Sequence, residues 1–68
     1  MDTLPHEMSP EELERRMEAL GLAPKQLAML VGVAPQAVYY WLSGERPVPA
    51  WLDAVLTREE ELRKEDRG

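Results

Sequence analysis

The chain contains no cysteine and no phenylalanine, one histidine, and no long apolar run. Without cysteine there are no disulfides, no thiol chemistry and no zinc site built on thiolates. The sequence fits a reducing compartment, and a cytoplasmic location is expected. No apolar stretch approaches the roughly 18 residues a membrane span needs. Met1 to Glu7 has neither a basic region nor an apolar core, so no secretion signal is read there. His6 stands alone, and only Ser9 and Ser43 carry serine hydroxyls, both at expected helix ends. There is no glycine-rich phosphate loop and no acid–base constellation at motif spacing. An enzyme is therefore not expected, nor a metal, a cofactor or a small-molecule ligand.

Basic residues are also scarce. The net charge is −5, with 13 acids against 8 bases. Residues 1–21 sum to −4 and residues 48–68 to −2, whereas residues 22–47 sum to +1. The acid sits on the flanks. The middle tolerates a phosphate backbone without being a basic patch.

With 68 residues the chain holds one domain, and its core is small. Residues 1–8 read as an arm, with Met8 as the first candidate residue of the fold. Ser9-Pro10-Glu11-Glu12 is a capping box with proline at the first helical position. Leu13, Met17 and Leu20 then form one apolar stripe, and Gly21 is the stop. A second helix is expected from Pro24 to Val31, with Leu27, Ala28, Leu30 and Val31 on its apolar face. A third runs from Pro35 to Leu42 or Ser43, with Gly44 as its stop. Only Gly32, Val33 and Ala34 link these two helices, so they should cross at a large angle. Glu45 to Pro49 is a stiff connector, because each proline disfavours helix in the residue before it.

A fourth helix starts near Pro49, with Trp51, Leu52, Val55 and Leu56 as its buried stripe. Both tryptophans are expected in the core, Trp51 alternatively at a dimer interface. Met8, Met17 and Met29 read as core filler. Residues 57–68 are a charged extension. Glu59 with Arg63 and Glu60 with Lys64 are i,i+4 pairs that favour continuing helix 4 to about Lys64; Thr57 capping a separate short helix is the alternative.

Residues 22–47 carry a resemblance. Leu22, Gln26-Leu27-Ala28, Val31-Gly32-Val33, Val38, Trp41, Gly44, Arg46 and Pro47 together resemble the lambda-repressor-like (Xre-type) helix-turn-helix family. The likeness covers about 26 residues, or residues 9–56 if helices 1 and 4 are the flanking family helices. It rests on spacing rather than on any one residue. It implies an all-α bundle of four to five helices with a central helix-turn-helix. The small Ala28 lets the third helix approach, Gly32 makes the turn, and Val38 anchors helix 3. The chain departs from the family at Pro24, where glutamine is frequent, and at Ala34, where a serine or threonine cap is usual. At Pro35 the family often has a polar base-reading side chain.

With Val38, Trp41 and Leu42 turned inward, the helical period puts Pro35, Gln36, Tyr39, Tyr40 and Ser43 outward. In the family that face enters the major groove of double-stranded DNA. Gln36 suits adenine, since an amide pairs with N6 and N7 together. Tyr39 or Tyr40 can meet thymine methyls or phosphate. Lys25, with Gln26 at the start of helix 2, suits phosphate, as does Arg46 past helix 3. The face has no lysine or arginine of its own, so binding should depend on dimerisation, with Trp51, Leu52, Val55 and Leu56 as the candidate dimer surface. The expectation is a small prokaryotic or phage-type regulator, a repressor acting as a homodimer on a palindromic operator. The alternative is a protein-interaction module — an inhibitor, antitoxin or accessory factor — using the Tyr39/Tyr40 face of the same fold.

Overall fold

The computed structural model describes residues 8–67, and side chains for residues 8–64. The expected arm, apart from Met8, lies outside the described residues. Four helices and no strand are present among them: α1 Pro10–Leu20, α2 Pro24–Val31, α3 Pro35–Ser43 and α4 Ala50–Arg67. The described residues form an all-α fold. None of these helices is long and apolar enough to cross a membrane.

The helix starts follow from local chemistry. The Ser9 hydroxyl accepts from the Glu12 N–H at 3.1 Å, and Pro10 occupies the first turn, where its missing N–H costs nothing. Pro24 and Pro35 open α2 and α3 in the same way, but Ala23 and Ala34 stand at the caps and offer no side-chain acceptor. At α2 half of a capping box survives: the Gln26 side-chain oxygen accepts from the Ala23 N–H at 2.8 Å. Gly32 closes α2 at a φ of +80°, a left-handed conformation that a Cβ would strain, and its N–H bonds the Ala28 carbonyl. α4 begins one residue later than expected. The Pro49 carbonyl accepts from the Leu52 N–H, and the helix then runs unbroken through the charged extension.

The core joins all four helices. Leu13, Met17 and Leu20 of α1, Leu27 and Ala28 of α2, Val38 and Trp41 of α3, and Leu52 and Leu56 of α4 are buried together. Met8, just before α1, is buried with them. Full burial of each leucine stabilises the fold by roughly 1.5–3 kcal/mol. α2 packs chiefly on α3, and α1 bridges α3 and α4.

Three apolar expectations are corrected. Trp51 is half exposed, because the neighbouring Leu52 takes the inward direction and residues one apart on a helix diverge by about 100°. Its ring stands edge-on to Trp41, with centroids 6.1 Å apart and planes at 83°, so it borders the core without entering it. Met29 is 77% exposed, and Leu30 also faces outward, since Leu27 and Ala28 supply the buried side of α2.

α1 and α4 are also joined by a polar clamp that the sequence reading did not anticipate. The Arg16 guanidinium donates to both Glu60 carboxylate oxygens, at 2.9 and 3.2 Å, to the Thr57 hydroxyl at 3.1 Å, and to Asp53. The Glu60 hydrogen bonds raise the Arg16 pKa above its already high ordinary value; burial opposes this, and Asp53 adds to it. Glu60 therefore answers to Arg16 across the helix pair, where a local pairing with Lys64 was expected.

Candidate nucleic-acid interface

The outer face of α3 is organised around Tyr40. Val38 is fully buried and Trp41 nearly so, which fixes the roll of the helix and leaves Gln36 and Tyr39 exposed and Tyr40 partly so. The Gln36 side-chain N–H donates to the Tyr40 hydroxyl at 2.8 Å, one helical turn away. The Arg46 guanidinium lies over the Tyr40 ring, 4.7 Å from its centroid, and the Arg46 backbone N–H donates to the Tyr40 carbonyl at 3.3 Å. Gln36, Tyr40 and Arg46 thus form one connected unit. It presents an amide, a phenol and a cation from a short stretch of surface.

Holding the Gln36 amide by one hydrogen has a chemical consequence. The second amide hydrogen and the oxygen stay available, which is the donor–acceptor pair that adenine's major-groove edge matches. The cation–π contact restrains Arg46, lowering the entropy lost when its guanidinium meets an anion.

The remaining expected residues fall into two groups. Lys25 and Gln26 are exposed at the start of α2, and no side-chain cap occupies the first-turn amides there. The Gln26 oxygen is committed to Ala23, which leaves its amide nitrogen as the part free to donate. Pro24 shares a groove with Tyr39 and Ser43, so the start of α2 and the outer side of α3 meet at one surface. Ser43 is less available than expected. Its hydroxyl donates to the Tyr40 carbonyl at 3.2 Å and accepts from the Glu45 N–H at 3.4 Å, which finishes the helix end. Pro35 is exposed at the first turn of α3 and carries no donor.

The sequence reading missed two carboxylates beside this surface. Glu14 and Glu18 of α1 line the same groove as Pro24, Tyr39 and Ser43, above an apolar floor of Met17, Leu22 and Leu42. Their spacing of four, next to Met17 in the buried stripe, is the signal that places them on the flank of α1 nearest α3.

The candidate dimer residues separate in the same manner. Leu52 and Leu56 are fully buried within the chain, so neither has surface to offer a second copy. Trp51 and Val55 do. No family model, curated protein or solved structure matches the chain.

Proposed function

We propose that the chain is a small DNA-binding regulator, a repressor of prokaryotic or phage type. It would read a palindromic operator as a homodimer with α3 in the major groove. On this reading α2, the Gly32-Val33-Ala34 turn and α3 are a helix-turn-helix, and the protein works in the cytoplasm. The observation that carries it is the exposed Gln36–Tyr40–Arg46 unit, held outward by the burial of Val38 and Trp41 on the opposite side of the same helix. Gln36 reads a base, Tyr39 and Tyr40 meet thymine methyls or phosphate, and Arg46 meets the backbone. Lys25 and the first-turn amides of α2 take a phosphate.

Selection from random double-stranded DNA tests this. An inverted repeat should be enriched, with half-site centres about 10 base pairs apart, or about 34 Å along the axis. A bound pool with no symmetric sequence overturns the reading.

One observation favours the protein-interaction alternative. Glu14 and Glu18 flank Tyr39, and carboxylates there repel phosphate while suiting a basic partner. If no DNA is bound in that selection, the Tyr39/Tyr40 face is assigned to a protein.

A further inference from the structure

The groove between α1 and the outer side of α3 is unlike a phosphate site in both charge and floor. Met17, Leu22 and Leu42 make the floor, with Glu14 and Glu18 on the α1 side. Tyr39, 56% exposed, and Ser43 stand on the α3 side. The groove is open to solvent and holds about 460 Å³, within the roughly 300–1,000 Å³ of ligand clefts. No lysine or arginine lines it. Glu14 and Glu18 are exposed, and neither has an ion-pair partner among the described residues. Arg16 of the same helix is committed to Asp53 and Glu60, on the side facing α4. Two carboxylates therefore border apolar surface with no cation set against them.

We propose that this groove holds a segment of another protein that carries lysine or arginine beside an apolar side chain, and that this segment and DNA exclude one another. The chemistry of the occupant follows from the lining. An apolar side chain takes the surface of Met17, Leu22 and Leu42 out of water. Lysine and arginine lay their hydrocarbon stems along such a floor and present the charge at its edge, here to Glu14 and Glu18. A guanidinium can also lie over the exposed face of Tyr39. The two carboxylates are four residues apart on α1, about 6 Å along its axis. Alternate residues of an extended peptide have nearly that spacing, so two basic residues can be met at once. Other occupants lack one of the two features. Nucleic acid and anionic lipid are repelled by the carboxylates, and a polyamine brings no apolar side chain to the floor. A second copy of this chain offers mainly acid, with 13 acids against 8 bases. The exclusion follows from position. Tyr39 and Ser43 belong to the outer side of α3, so an occupant covers residues that a DNA contact needs exposed. The binding stands without the DNA reading, and the exclusion rests on it.

Random peptides displayed on phage and selected on the immobilised full chain test the proposal, with E14Q/E18Q as the counter-selection. Retained peptides should carry two lysines or arginines beside an apolar residue. A synthetic copy of one should bind E14Q/E18Q at least about tenfold more weakly than the parent, and Tyr39→Ala at least about threefold more weakly. The same peptide with its basic residues changed to glutamate should bind E14K/E18K and not the parent. These variants should keep the parent's far-ultraviolet circular dichroism spectrum, since Glu14, Glu18 and Tyr39 lie outside the core cluster. Added to the parent bound to its selected DNA, the basic peptide should release the DNA. Retained peptides without basic residues, an affinity unchanged in E14Q/E18Q, or no binding of the reversed peptide to E14K/E18K overturns the groove assignment. Peptide and DNA held together overturn the exclusion. A chain that binds the peptide but selects no DNA overturns the DNA reading alone.

Discussion

At the scale of single residues, Gln36 and Lys25 would play opposite parts in the proposed DNA contact. Gln36 is oriented by Tyr40, and an oriented amide discriminates between bases. Gln36→Ala should cost about 1–3 kcal/mol on the preferred site and flatten the preference at one base pair. Tyr40→Phe keeps the amide but frees it to rotate, so it should reduce the same preference by a smaller factor. A binding isotherm against a panel of single-base variants reads both, and a preference unchanged by Gln36→Ala would show that another residue reads that base. Lys25 is a surface charge beside the α2 amides. Lys25→Ala should weaken all sequences alike and reduce the slope of log affinity against log salt by about 1. A loss confined to one sequence would contradict its role as a phosphate contact. The inward positions of Val38 and Trp41 were legible, because periodicity reports the direction of a side chain on its own helix. The ties of Gln36 and Arg46 to Tyr40 were not, because rotamer and loop path decide them. The Arg16 clamp was hidden for a related reason: its partners stand 37 to 44 residues away in the chain. Only its place between Leu13 and Leu20, one residue from Met17, marks Arg16 as lying at the edge of the buried stripe.

At the scale of helices, starts and stops were the most legible features. Proline in the first turn and glycine past the last act through local backbone geometry and need no tertiary partner. The least legible was α4, where four apolar residues were assigned to one stripe although Trp51 and Leu52 are neighbours and cannot share a direction. Two predictions belong here. α3 lacks a side-chain cap at Ala34, whose φ of −70° and ψ of 147° already have cap geometry. Ala34→Ser should therefore stabilise the fold by about 1 kcal/mol in urea unfolding, with no change in the denaturant slope. A neutral or destabilising effect would mean that the serine hydroxyl cannot reach the α3 amides. For α4, Arg16→Ala removes a guanidinium that is mostly buried while its carboxylate partners are partly exposed. The loss should be about 1–2 kcal/mol, between the values for exposed and charge-assisted buried contacts. It should appear as faster amide exchange in α4 beyond Leu56, where no core leucine follows. Because the Arg16 pKa is raised, its contribution is complete below the ordinary arginine value and is lost only as pH rises through the folded one. Mild alkali should thus leave the clamp intact.

At the scale of the whole molecule, stability and association are linked. A chain of 68 residues buries a limited core, and the proposed pairing of two copies would add apolar burial that the single chain cannot supply. If the folded chain pairs and the unfolded chain does not, mass action ties the melting temperature to concentration. Each tenfold rise in concentration contributes about 1.4 kcal/mol per dimer, or about 0.7 kcal/mol per chain. For a domain of this size 1 kcal/mol corresponds to about 4–8 °C, so each decade should raise the melting temperature by about 3–6 °C. The effect should span the concentrations at which dimer and monomer exchange. A melting temperature independent of concentration would mean that the folded chain is stable alone and would overturn the proposed homodimer.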